Sequence, residues 1–114
     1  MCIAEQAILW RRSDGTSVEI TAKITAPASG SEGRWSCYVS IDGIDNNSEE
    51  VVGGSSMQAL KLALDHLSSR MRYLLKKGEV FSFVDEPDDQ WDEEAIHLVF
   101  GSTSVSNISS RPTP

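Results

Sequence analysis

The strongest pattern in the chain is a helical repeat of apolar side chains between Ser55 and Gly78. At about 100° per residue, eight apolar residues of this stretch fall within an arc of about 120°, and polar residues fill the opposite arc. The apolar residues are Met57, Leu60, Ala63, Leu64, Leu67, Met71, Leu74 and Leu75. Ser55 and Gln58 form a capping-box pattern, and Gly78 suits the left-handed conformation that ends a helix. The pattern predicts one amphipathic helix over residues 55–77, with its apolar face buried.

Alternating apolar and polar residues predict strands on both sides of that helix. In the clearest case, Ser17 to Ala26, every second residue is apolar, which is typical of a strand with one buried and one wet face. The Asp14-Gly15 pair before it is a strong hairpin signal. The predicted strands run from Ile3 to Arg12, Ser17 to Ala26, Arg34 to Ile41, Ser48 to Gly53 and Glu79 to Val84.

Together these elements predict an α+β fold, in which an antiparallel β-meander of four to six strands has the long helix packed across one face. A single domain over residues 1–100 accounts for them, since 114 residues suffice for one modest core. No regular element is predicted over residues 85–94, and residues 95–100 fit either a short strand or a helical turn. The end of the chain, 101–114, is rich in Ser, Thr and Pro, and we expect a disordered tail there.

The charge of the chain is concentrated at its C-terminal end. Residues 1–78 contain nine acidic and nine basic residues, whereas residues 79–114 contain eight acidic residues and one basic residue, Arg111. The whole net charge of −7 therefore lies after the predicted helix. This distribution argues against a nucleic-acid binder, which needs clustered Lys and Arg, and it suits a basic protein partner.

An acidic segment with one large aromatic residue is the first candidate site. Trp91 lies among seven carboxylates within ten residues, and an aromatic flanked by charge can anchor a basic partner surface. The carboxylates are Asp85, Glu86, Asp88, Asp89, Asp92, Glu93 and Glu94. In the alternative interpretation the carboxylates are simply solvated, and Trp91 folds back to cover the edge of the sheet or helix. The spacing lacks the central Gly of a calcium-binding EF-hand loop, so no metal site is predicted.

One flank of the predicted helix is the second candidate contact surface. It is of mixed character and lies beside the core face, where it would suit a dimer or partner interface. Its residues are Ala59, Leu62, His66, Arg70 and Tyr73. The alternative is that the C-terminal segment partly covers this flank. His66 and His97 are the only histidines, and we expect both to be structural.

Motifs for catalysis or cofactor binding are not found in the sequence. Gly53-Gly54 lacks the Lys and further Gly of a phosphate-binding loop, and Cys2 and Cys37 have no histidine cluster with which to bind zinc. The first residues do not resemble a signal peptide, and the long helix carries too many charges to span a bilayer. We therefore expect a cytoplasmic, non-enzymatic protein without a cofactor and without membrane attachment, its two cysteines unpaired.

Two stretches resemble a known family. They are Trp35-Ser36-Cys37-Tyr38-Val39-Ser40-Ile41 and Gly53-Gly54-Ser55-Ser56-Met57-Gln58-Ala59-Leu60-Lys61-Leu62-Ala63-Leu64. They resemble a family of short uncharacterised bacterial domains, over roughly residues 5–84. The resemblance implies a few strands, a helix that starts with this motif and a final short strand, and it carries over no catalytic residues. The small, acidic character is similar to that of immunity proteins encoded beside bacterial toxins.

The leading hypothesis is therefore a non-enzymatic protein-binding domain that acts as an immunity protein. The acidic segment would sit against the basic active site of a toxin and occlude it. The alternative hypothesis is a self-associating structural or adaptor domain, in which the helix flank or a bare strand edge builds a homodimer. A small enzyme is the third hypothesis, and it would require a deep pocket with convergent polar groups.

Overall fold

The computed structural model describes residues 1–45 and 47–101, so the predicted tail lies outside the described residues from residue 102 onward. Its strands are β1 Cys2–Arg11, β2 Ser17–Thr25, β3 Ala28–Ser29, β4 Trp35–Asp42, β5 Glu49–Gly53, β6 Val80–Phe83 and β7 Glu86–Gln90. Its helices are α1 Ser56–Lys76 and α2 Glu93–Phe100, and a 3-10 turn occupies Ser31–Gly33. The fold is α+β, as predicted.

All strand pairings are antiparallel, and the strands lie in the order β5-β4-β2-β1-β6-β7. The two-residue β3 pairs with β4 at Ala28↔Ser36 and Ser29↔Trp35. A turn at Asp14 and Gly15 joins β1 to β2, as predicted. The Asp14 carboxylate accepts from the backbone N–H of Thr16 at 2.9 Å, and Gly15 takes a φ of +90°, which stabilises the turn. After β5, α1 connects this edge of the sheet to the other side of β1, where β6 and β7 extend the sheet.

Both ends of α1 follow the predicted capping chemistry. Ser55 Oγ accepts from the N–H of Gln58 at 3.0 Å, and the Gln58 side chain accepts in turn from the N–H of Gly54. At the other end, Gly78 adopts a φ of +98°. Its N–H donates to the carbonyl of Leu75 at 3.0 Å, and that of Glu79 donates to the carbonyl of Leu74 at 3.1 Å. These two bonds make a Schellman motif, which satisfies carbonyls that would otherwise be orphaned.

The core lies between α1 and one face of the sheet. Along β2 and β4 the inward residues alternate with more exposed ones, as the sequence pattern predicts, and all are buried except the half-buried Val18 and Trp35. The buried apolar residues are Ile8, Ile20, Ala22, Ile24, Cys37, Val39, Ile41, Ala59, Ala63, Leu67, Met71, Phe81, Trp91, Ile96 and Phe100. Each large side chain among them contributes about 1.5–3 kcal/mol through removal from water.

The buried face of α1 differs from the predicted arc at three residues. Met57 was expected in the core and is 80 % exposed, whereas Ala59 and Ser68 are buried. The first turn of α1 rests on the end of β5 through Ala59, so closely that a Cβ atom on Gly53 would lie 2.6 Å from the Ala59 nitrogen. Ser68 is buried because α2, in the C-terminal segment, packs along that side of α1.

The expectation that residues 85–94 lack regular structure was wrong. Residues 86–90 form β7, and α2 begins after Asp92, whose side chain accepts from the N–H of Ala95 at 3.0 Å. Glu93 and Glu94 in the first turn of α2 suit the positive end of the helix dipole. The acidic run therefore contains the start of a helix as well as a strand. For residues 95–100 the helical alternative is the one observed.

Candidate functional site

The predicted acidic contact residues lie at one edge of the molecule. Strand β7 is exposed along its whole length, and within the described residues it pairs only with β6. Pro87 lies in this strand, where a missing N–H is tolerated because the strand is at the edge of a sheet. A guanidinium nitrogen of Arg11 donates to the carbonyl oxygen of Pro87 at 3.5 Å. We call the seven carboxylates Asp85, Glu86, Asp88, Asp89, Asp92, Glu93 and Glu94 the acidic edge.

Most carboxylates of the acidic edge are not paired with a basic group of residues 1–45 and 47–101. Glu93 Oε1 lies 3.2 Å from Arg72 Nε, and this ion pair connects α2 to α1. In the part of the chain that the structure describes, the other six carboxylates have no basic group within 4.0 Å. The negative charge therefore faces solvent, where it acts on an approaching partner.

Trp91 is a core residue rather than an exposed anchor. It is 6 % exposed, and its ring meets Phe83 edge-on at a centroid distance of 4.9 Å and Phe100 at 6.5 Å. Its backbone N–H donates to the carbonyl of Phe81 at 2.7 Å. The alternative interpretation, in which Trp91 folds back over the sheet, describes its position. Its indole N–H is buried and has no hydrogen-bond partner among the described residues.

An open cavity of about 550 Å³ lies between α1 and the start of α2. It is lined by Leu75, Lys76, Trp91, Asp92, Glu93 and Glu94. Leu75 and the small exposed margin of Trp91 supply apolar surface, three carboxylates supply negative charge beside it, and Lys76 supplies one positive charge. This combination suits a long cationic side chain, because such a chain has an apolar stem and a charged end.

The other predicted contact residues lie on the opposite flank of α1. His66 Nε2 is 3.2 Å from Glu49 Oε2, although the two groups do not form a hydrogen bond. Arg70 reaches Asp45 Oδ2 at 3.0 Å and Glu49 Oε1 at 3.3 Å. Tyr73 is 57 % exposed, and the Lys77 ammonium lies 5.4 Å from its ring centroid.

This flank of α1 contacts residues at and just before the start of β5, and not the C-terminal segment as the alternative interpretation expected. Asp45 precedes β5 and Glu49 begins it, whereas α2 contacts the side of α1 that contains Ser68 and Arg72. The C-terminal segment, as far as it is described, therefore covers the other side of the helix. The N–H of Asn47 donates to Asp45, and this bond together with Arg70 lowers the pKa of the Asp45 carboxyl.

The structure thus separates the predicted contact residues into two groups. The acidic edge lies with Trp91 on the α2 side, and His66 and Tyr73 lie on the β5 side. A single partner surface of ordinary size could therefore cover the acidic edge without contacting His66 or Tyr73.

Groups suited to metal or thiol chemistry are sparse. The described residues contain no group of three His, Cys, Asp or Glu side chains that could hold a metal ion. Cys2 and Cys37 are free, and burial raises the pKa of the Cys37 thiol, which disfavours the reactive thiolate. Neither α1 nor α2 has the length and apolar character needed to cross a membrane.

Two features of the site were missed from the sequence although signals for them exist. Asp92 followed by Glu93, Glu94 and an apolar run is a helix-start pattern. Gly101 follows that run and takes a φ of +84°, which suits a helix end. The Arg72–Glu93 ion pair carries no comparable signal, since its members are 21 residues apart in sequence.

Comparisons with known proteins agree with the family resemblance. Searches of the curated proteins and of the solved structures found no match. A model of the family described as "Domain of unknown function (DUF6968)" matches residues 6–90, which include every strand from β2 to β7, most of β1 and all of α1. The chain therefore belongs to this domain family of unknown function, DUF6968.

Proposed function

We propose that this chain is a non-enzymatic protein-binding domain whose acidic edge docks a basic partner. Its specific role, in this proposal, is that of an immunity protein, which neutralises a bacterial toxin by occluding a basic active site. The observation that carries the proposal is the solvent-facing charge of the acidic edge beside an open, partly apolar cavity.

Electrostatics supports the proposal in two ways. Carboxylates that no described basic group pairs attract cations, and they speed association with a positively charged surface. Their attraction is screened within about 10 Å at 0.1 M salt, so binding would weaken as ionic strength rises. Glu93 differs from the rest because Arg72 already engages it.

The open cavity gives the proposed contact a place on the molecule. An Arg or Lys side chain of the partner can lay its stem over Leu75, beside the buried Trp91, and bring its charge near Asp92 and Glu94. Trp91 is held rigidly by Phe83 and Phe100, so the apolar surface is preformed and little ordering is needed on binding.

The test compares two variants of the full chain with equal charge changes. One replaces Glu86, Asp88 and Glu94 by Gln, Asn and Gln, and the matched control replaces Glu5, Glu19 and Glu50 by Gln. Each variant is co-expressed with the product of each neighbouring gene, and complex formation and protection from growth arrest are measured. We expect the acidic-edge variant to bind about tenfold or more weakly, with a shallower salt dependence, and the control to match the unmodified chain.

Two results would contradict the proposal. A complex that both variants weaken equally would assign the effect to net charge rather than to the acidic edge. Full protection by the acidic-edge variant would show that these carboxylates do not dock the partner.

A further inference from the structure

A cluster of basic side chains lies where the end of α1 meets the end of β1. Arg11 is paired with Val80 in the β1–β6 register, and residues 77–79 connect α1 directly to β6. The last turn of α1 and the last residues of β1 are therefore neighbours. We call the side chains of Arg11, Arg12, Lys76 and Lys77 the basic end.

The basic end forms no ion pair within residues 1–45 and 47–101. Each member differs in this respect from the basic residues elsewhere that have a carboxylate within 4.0 Å. Those residues are Lys23, Lys61, His66, Arg70 and Arg72. The charge of the basic end therefore faces solvent.

Two carboxylates lie near the basic end, and both have other partners. Asp14, in the turn after β1, accepts from the N–H of Thr16 at 2.9 Å and from its hydroxyl at 2.6 Å. Glu79 Oε1 accepts from the indole N–H of Trp10 at 2.9 Å. Four cations and two carboxylates leave a net charge of +2 in this region, although the chain as a whole carries −7.

Aromatic rings hold two of these cations in place. The Arg12 guanidinium carbon lies 5.4 Å from the ring centroid of Trp10, and the Lys77 ammonium lies 5.4 Å from that of Tyr73. A long side chain that already rests on a ring has less rotamer freedom to lose when it binds an anion. Arg12 and Lys77 are therefore partly preorganised for such a contact.

The basic end adjoins the acidic edge at two places. Arg11 reaches across β6 to the carbonyl of Pro87 in β7. Lys76 lines the same cavity as three carboxylates of the acidic edge, and it forms no ion pair with any of them. One continuous surface thus presents positive and negative charge side by side.

We propose that the basic end and the acidic edge form one bipolar docking surface, in which the basic end receives an acidic patch of the same protein partner. This inference rests on the proposed function and adds the second half of the contact. Arg12 and Lys77 pair with carboxylates of the partner, while a basic side chain of the partner enters the cavity beside Leu75. Two opposite charge pairs side by side determine the orientation in which the partner docks.

A protein surface fits the basic end better than a nucleic acid does. A nucleic-acid backbone carries one negative charge after another along its length. On this molecule such a backbone would run from the basic end onto the adjoining acidic edge, where it is repelled. A folded partner can instead place a few carboxylates at the basic end and its cations at the acidic edge.

The decisive test uses the direction of the change in affinity. Arg12→Gln with Lys77→Gln removes two positive charges and makes the chain more negative. A partner surface that is basic throughout would bind this double variant at least as tightly as the unmodified chain. We expect about tenfold weaker binding instead, because the contacts to the acidic patch are lost.

The partner in this test is the neighbouring gene product that the unmodified chain binds on co-expression. Its dissociation constant with each full-length variant is measured by isothermal titration calorimetry, and circular dichroism establishes that each variant is folded. The same chain without substitution is titrated at each salt concentration for reference.

Two control variants separate the position of the charge from its amount and from packing. Arg34→Gln with Lys61→Gln makes the same charge change, and Arg34 precedes β4, which approaches the Asp14 turn only at its other end. This variant should bind as tightly as the unmodified chain or slightly more tightly. Arg12→Lys with Lys77→Arg retains both charges and should bind within about twofold of the unmodified chain.

Unchanged or tighter binding by Arg12→Gln with Lys77→Gln would overturn this inference, while weaker binding by the acidic-edge variant would still support the proposed function. Equal weakening by the Arg34 and Lys61 control would overturn it as well, since the effect would not belong to the basic end. So would binding of a labelled single-stranded oligonucleotide that depends on Arg12 and Lys77. A chain that binds no neighbouring gene product would contradict the proposed function and this inference together.

Discussion

Ser68, near the middle of α1, donates a hydrogen bond of 3.0 Å to the backbone carbonyl of Gly101. Its side chain is buried, although its position in the helical repeat falls among the polar residues. The bond connects the long helix to the end of α2, 33 residues later in the chain. It therefore helps to fix the segment that contains the acidic edge.

Replacing Ser68 by Ala should weaken this connection without disturbing the fold. The lost hydrogen bond should lower the free energy of unfolding by about 1 kcal/mol. Ser69→Ala, at the neighbouring exposed position, is the control and should change it by less than about 0.5 kcal/mol. Urea unfolding followed by tryptophan fluorescence measures both. Equal stability of the two variants would show that the Ser68 bond contributes nothing.

Gly53 and Gly54 precede α1 side by side, yet they should respond differently to substitution by Ala. A Cβ atom on Gly53 would lie 2.6 Å from the backbone nitrogen of Ala59, which cannot move without shifting the helix. On Gly54 it would meet the side-chain oxygen of Gln58 at 3.2 Å, and that side chain can rotate. We expect Gly53→Ala to cost about 1–3 kcal/mol and Gly54→Ala to cost less. The midpoint of urea unfolding decides the order, and a reversed order would contradict the close contact.

Two methionines of α1 test the rotational setting of the helix. Met71 is fully buried and Met57 is 80 % exposed, although both fall in the apolar arc of the sequence. Met71→Ala should lower the free energy of unfolding by about 2–5 kcal/mol, because it leaves a cavity. Met57→Ala should change it by less than about 0.5 kcal/mol. A large loss at Met57 in chemical denaturation would mean that the first turn of α1 is buried after all.

The contacts of Asp45 predict a pH dependence of stability. The Asn47 N–H and Arg70 lower the pKa of this carboxyl below its ordinary value of 3.8 in the folded protein. The stabilisation is therefore complete well above pH 3.8 and is lost as the pH falls through the folded pKa.

Asp45→Asn should remove that part of the pH dependence. Its stability should differ most from that of the unmodified chain near pH 6, and the difference should shrink as the pH falls below 3.8. Glu50→Gln, an exposed carboxylate, is the control. Thermal unfolding from pH 2.5 to 7 provides the measurement, and parallel curves for the unmodified chain and Asp45→Asn would contradict the prediction.

Local chemistry explains which features could be predicted. Alternation determines the inward faces of β2 and β4, and Ser55, Gln58 and Gly78 determine both ends of α1. These signals act between residues a few positions apart, so the sequence contains them in readable form. The position of the acidic edge after the helix also follows from the sequence alone.

Local patterns in the sequence establish the α+β class, the core strands, the long helix and the uneven charge. Packing between distant elements buries Trp91, turns Ser68 toward α2 and places the seven carboxylates on a different side of α1 from His66. It also brings β6 beside β1, where β6 pairs only with Leu9, Trp10 and Arg11. The physical reason is that burial of an aromatic or a hydroxyl depends on partners distant in the chain, and no local pattern encodes such a partner.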